Sequence, residues 1–167
     1  RLNMEILADV FTEHYQNVTF YAQNDRPCLE GIRLYKKGKN PNFRYVYLIQ
    51  GKDVDQSFLE YRDIDFITVG RTDIACFHQS CAVIELTDNA DFLDTFELVQ
   101  ETFAKYRQWD RHLHYALDSE HPLDEMLLAS LEIFGNPMFI HDTDFYILSC
   151  PRYVQGMTVW ERDSRTG

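Results

Sequence analysis

Residues 43–86 read FRYVYLIQGKDVDQSFLEYRDIDFITVGRTDIACFHQSCAVIEL, and this stretch decides the fold. Three runs within it, VYLI, FITV and AVIEL, are almost continuously apolar and rich in β-branched and aromatic residues. Strands covered on both faces read this way, as in the middle of a parallel sheet. Between the first two lies DVDQSFLEYRD, long enough for a short crossover helix, which parallel neighbours require. Residues 73–80 read as a second short helix. Upstream, VTFYA and GIRLYK are two further strands, and the alternation in GIRLYK suits a sheet edge. NDRP, KKGKNPN and RTD supply turn chemistry between the runs. Ahead of them, Ile6, Leu7, Val10, Phe11 and Tyr15 recur at helical spacing, which predicts an amphipathic helix over 4–16 with Asn17 as its stop. Residues 1–88 are therefore expected to form an α/β domain with a small mixed or parallel sheet and flanking helices.

Downstream, residues 89–121 read as a long helical segment, capped by Asp88 or Asn89 and with Asp91 and Asp94 near its positive end. Phe92, Phe96, Val99, Phe103 and Tyr106 follow a repeat close to that of a coiled-coil seam. Two readings of this stripe stay open: packing on its own domain, or pairing with a second subunit as a dimerisation surface. A second helix is expected over 122–134, with Pro122 at its first position and Gly135 after its end. Residues 138–141 and 145–149 then read as two strands joined at Asp142-Thr143-Asp144. The segment 122–167 is thus a helix plus a strand pair. The tail from Pro151, which contains VQGMTVW, carries no clear element.

Bulk properties exclude several classes. The 167 residues carry a formal net charge of −11, which opposes phosphate backbones, so no nucleic-acid contact is expected through this chain. Lys36, Lys37 and Lys39 form the local basic cluster and read as solvated loop charge. At 45% hydrophobic and 14% aromatic, the composition allows a well-packed core. No apolar run reaches the length of a membrane span, and no membrane partner is expected. The chain opens without Met and ends in ERDSRTG, so a longer parent protein is expected.

Candidate chemistry is sparse. Cys76, His78 and Cys81 make a C-x-H-x-x-C cluster that matches no common zinc module, even with His14 or Cys28 as a fourth ligand, and these groups read as neutral and buried. His112, His114 and His141 read as structural or solvated. Asp142 and Asp144 read as turn carboxylates that support their own backbone. No catalytic residue, metal or cofactor is assigned, and an enzyme is not expected. In open α/β sheets, ligands sit beyond the carboxyl ends of the strands. That rule points to Gln50, Gly51, Gly70, Arg71, Thr72 and Asp73 as ligand-binding residues, with Arg71 facing an anionic group and Thr72 or Asp73 a polar one.

The stretch FAKYRQWDRHLHYAL, followed by LDEMLLASLEIFGNPMFIHDTDFYILSCP, resembles PucR-like bacterial transcription regulators of the clostridial type. Phe103, Tyr106, Trp109, Leu113, Asn136, Pro137 and Asp142 carry the resemblance. GIRLYKKG, YVYLIQG and DFITVG look similar to successive strands of the amino-terminal portion of those proteins. The resemblance implies a cytoplasmic regulatory region: an α/β regulatory domain over 1–88, a signalling and dimerisation helix over 89–121, and the start of a GAF- or PAS-like sensor domain over 122–167. It further implies a homodimer, a small-molecule effector, and DNA contact through a carboxyl-terminal helix-turn-helix beyond this chain. The alternatives are a scaffold or dimerisation domain that binds no metabolite, and a metal or thiol protein centred on Cys76 and Cys81.

Overall fold

A computed structural model describes residues 2–22, 29–87 and 89–152. Cys28, Asp88 and the VQGMTVW segment lie outside the described residues. The fold class is mixed α/β, as expected. Helix α1 spans Met4–His14, and the Asn3 side chain accepts from the Ile6 amide at 3.0 Å to cap its start. Strands β1 (Val18–Tyr21), β2 (Gly31–Leu34), β3 (Tyr45–Gln50), β4 (Asp65–Val69) and β5 (Val83–Leu86) form one sheet in the order β1-β5-β4-β3-β2. The four strands β2 to β5 run parallel, and β1 joins β5 antiparallel at the opposite edge. GIRL is an edge strand, and the three apolar runs occupy the interior, as their composition predicts.

The crossovers differ from expectation. Residues 51–60 form two short 3-10 segments, Gly51–Asp53 and Gln56–Glu60, and the third, Ile74–Cys76, is a single turn. None is an amphipathic helix, so none offers a wide apolar face. Aromatic rings cover the sheet instead. Phe58 and Phe77, from the two crossovers, join Tyr47, Ile49, Ile64, Phe66, Cys81 and Val83 in one buried cluster, with Tyr35, Tyr61 and Ile74 at its margin. The alternate residues Val46, Leu48, Ile67, Val69, Ile84 and Leu86 are buried on the other face. No residue of α1 belongs to the ring cluster. Its Leu7 and Phe11 are fully buried, and α1 packs beside β1 and β5.

Helix α2 spans Phe92–Leu117. Its first turn is held by Asp91, whose carboxylate accepts from the amides of Leu93 (2.7 Å) and Asp94 (3.1 Å), so the cap lies later than the expected Asn89. The chain forms two compact units, one ending at Ala104 and the other beginning at Lys105. The boundary between these units falls inside α2. Thr95, Val99, Thr102 and Phe103 on the first part of the helix are buried. Beyond the boundary, the Trp109 indole donates to Ser130 Oγ at 3.1 Å and its ring meets Phe134 edge-on.

Ser130 and Phe134 belong to α3 (Pro122–Phe134), which ends at Gly135 with φ +68°, a conformation that favours glycine. The strand pair is present but short, β6 (Ile140–His141) against β7 (Ile147–Ser149). Asp142 supports its own turn by accepting from the amides of Asp144 and Tyr146, both at 2.9 Å. No helix among the described residues is long and apolar enough to cross a membrane.

Candidate functional site

The carboxyl ends of the parallel strands are where ligand binding was expected, and the order of the strands decides which part of that edge is open. Strands β2 to β5 succeed one another in space as in sequence, with the crossovers from β3 to β4 and from β4 to β5 on one face. They never diverge to opposite faces, so no crevice opens between β3 and β4. Gly51 shows why. A β-carbon there would fall on the backbone carbonyls of Gly70 and Arg71, so the two strand ends pack backbone to backbone. Gly70 turns the chain at φ +87° above this contact.

The six expected residues consequently do not share one site. Gly51 and Gly70 form the packed floor. Gln50 lines a crevice with Tyr35, Lys37, Lys52, Asp53 and Asp55. In that crevice Lys37 pairs with Asp55 at 3.2 Å, and bonds from the Ser57 hydroxyl and amide, with Lys37, hold the Asp55 carboxyl down to about 2. Asp73 is exposed and caps the Ile74–Cys76 turn, accepting from the Ala75 amide at 3.1 Å. Arg71 and Thr72 alone are brought together, in a polar cleft of about 550 Å³ beside β5 and β1.

Glu85 supplies the carboxylate of that cleft, and it escapes a sequence reading because it sits inside the apolar run AVIEL. Its side chain shares a face with Val83, and one carboxylate oxygen accepts from the Thr72 amide at 2.6 Å. In the sheet register Glu85 lies between Thr19 on β1 and Thr68 on β4. Gln16, Asn17 and Thr87 complete the lining. The hydroxyls of Thr68 and Thr72 are buried and have no hydrogen-bond partner. A carboxylate inside an otherwise apolar strand is the signal that marks the place.

No protein family, curated protein or solved structure matches this chain. What the cleft can hold therefore follows from its chemistry. One carboxylate, one guanidinium and several hydroxyl and amide groups suit a small polar ligand with both donors and acceptors. Glu85 also stabilises the edge itself. Glu85→Ala would strip the Thr72 amide of its acceptor, and a loss of about 1–2 kcal/mol is expected from a denaturant titration. Unchanged stability would mean that water replaces the carboxylate at no cost.

The remaining sequence candidates fall elsewhere. The stripe on α2 is partly buried, with Phe92, Phe96 and Tyr106 only half-buried. Val99 and Phe103 are only 1% and 3% exposed, Phe92 lines the Gln50 crevice, and Phe96 lines a separate cavity. Tyr106 meets Trp109 edge-on at 6.0 Å. Val99 and Phe103 are thus taken up within their own unit, and neither reading of the rest of the stripe is decided by its burial.

Among the described residues no group of three or more His, Cys, Asp or Glu side chains is placed to hold a metal. Burial pushes both the Cys76 and Cys81 thiols up, which disfavours the thiolates that a zinc site needs. His78 bonds Ser80 Oγ at 2.9 Å, and His14 and His114 bond backbone carbonyls of their own helices.

Proposed function

We propose that this chain is the sensing and dimerisation portion of a cytoplasmic, PucR-like bacterial transcription regulator, and that it acts by binding and relay rather than by catalysis. One observation carries the reading. In sequence, Glu85 on β5 is followed by Thr87, also in the cleft, and five residues later by Phe92, the first residue of α2. A ligand that draws on Glu85 and Thr87 thus acts on the segment that starts the helix, and α2 runs on past the boundary between the two compact units. The mechanism is a shift of population. An effector with greater affinity for one arrangement of the helix favours that arrangement, and only differential affinity has any effect. The output is a helix-turn-helix domain further along the parent chain, and α3 with the β6–β7 pair opens a GAF- or PAS-like unit.

The test is a thermal-shift screen of small polar metabolites, followed by hydrogen exchange on α2. A true effector raises the melting temperature with ligand concentration, loses that effect in Glu85→Gln, and alters amide protection in the first turns of α2. Binding that leaves α2 protection unchanged would overturn the relay.

A second reading, a scaffold that associates with itself and binds no metabolite, has its own support. Tyr115 is 73% exposed, and Leu117, Phe134, Phe145 and Leu148 are also exposed large apolar residues. A melting temperature that responds to protein concentration and to no metabolite would favour it.

A further inference from the structure

Another cavity lies at the opposite edge of the sheet from the polar cleft, beside β2. It has a volume of about 400 Å³, within the range of small-molecule sites. Its apolar walls are Ile32, Leu34 and the rings of Tyr35, Tyr47 and Phe96. Arg33, Lys36 and Lys39 supply its charge, and no acidic residue is among those lining it.

This balance sets it apart from the polar cleft and from the Gln50 crevice. The polar cleft sets Arg71 against Glu85, and the Gln50 crevice sets Lys37 and Lys52 against Asp53 and Asp55. In a chain of net charge −11, three cations facing one aromatic-walled space without a carboxylate is a local inversion of the overall field. The loop explains how it arises. Lys37 turns away to pair with Asp55, while Lys36 and Lys39 stay on the cavity side, tied by the bond from the Lys39 amide to the Lys36 carbonyl at 3.2 Å. Arg33, which also lines the cavity, has its guanidinium carbon 3.6 Å from the centre of the Tyr45 ring.

We infer that this cavity binds a small organic anion, a carboxylate carried on an apolar body, with the carboxylate toward Lys36, Lys39 and Arg33 and the body against Tyr47 and Phe96. The assignment does not depend on the Glu85 cleft. Because Phe96 belongs to α2, the occupant would touch that helix directly.

Benzoate and succinate serve as probes, with benzyl alcohol as the neutral control, in calorimetric titrations at low ionic strength. Benzoate is expected to bind more tightly than succinate, which lacks the ring, and benzyl alcohol not measurably. Lys39→Glu should weaken benzoate by roughly tenfold, since an attraction becomes a repulsion. Lys37→Glu makes the same charge change beside Asp55 rather than in the cavity, and should leave benzoate within about twofold. Circular dichroism confirms that each variant is folded, and Lys36→Glu repeats the test from a second position. Equal losses in Lys37→Glu and Lys39→Glu would reduce the effect to net charge and overturn the site. Failure of both carboxylates to bind the wild-type chain would overturn it outright.

Discussion

Phe66→Ala is expected to lower the unfolding free energy of the first unit by about 3–5 kcal/mol. Phe66 is fully buried, and five rings surround it: Phe77 at 5.2 Å, Phe58 at 5.4 Å, Tyr61 at 6.0 Å, and Tyr35 and Tyr47 at 6.3 Å between centroids. Phe58 and Phe77 come from the two crossovers, so Phe66 is the point on the sheet to which both are pinned. Long helices would spread that task over many contacts, but three to five residues of 3-10 turn cannot. Removing the ring leaves a cavity that short, independently anchored crossovers cannot jointly close. Near-ultraviolet circular dichroism of the tyrosines, followed through a urea titration, measures the loss. A change under about 1 kcal/mol would show that the ring cluster is not the anchor of the crossovers.

Gly51→Ala is expected to cost about 3 kcal/mol, the upper part of the range for overpacking a filled site. The obstacle is backbone, since the added carbon meets the carbonyls of Gly70 and Arg71, and neither can swing aside as a side chain would. Relief requires the ends of β3 and β4 to part, which also moves Arg71 and Thr72 in the cleft. Gly70→Ala provides the comparison. Open space surrounds Gly70, but its φ of +87° disfavours any side chain, and a smaller cost of about 1–2 kcal/mol is expected. Thermal denaturation of the two variants ranks them. If Gly70→Ala proves the more damaging, close packing at Gly51 is not what shuts the middle of the sheet.

The different costs of these two glycine substitutions reflect a broader division. The strand identities, the edge position of GIRL, and α3 between Pro122 and Gly135 were determined by the sequence itself. Each depends on composition or on turn and cap chemistry within a few neighbouring residues. The antiparallel direction of β1 was not, because a four-residue strand pairs equally well by local criteria either way. Nor was the site. Glu85 meets the Thr72 amide across thirteen residues of chain, and Thr19, Glu85 and Thr68 align only through the register of three strands. The seam on α2 shows the same limit. Its periodicity marks an apolar face, but whether Val99 and Phe103 meet their own chain or another depends on what tertiary packing places opposite them. Local propensity acts over one or two turns, whereas the convergence of distant side chains is created by the fold.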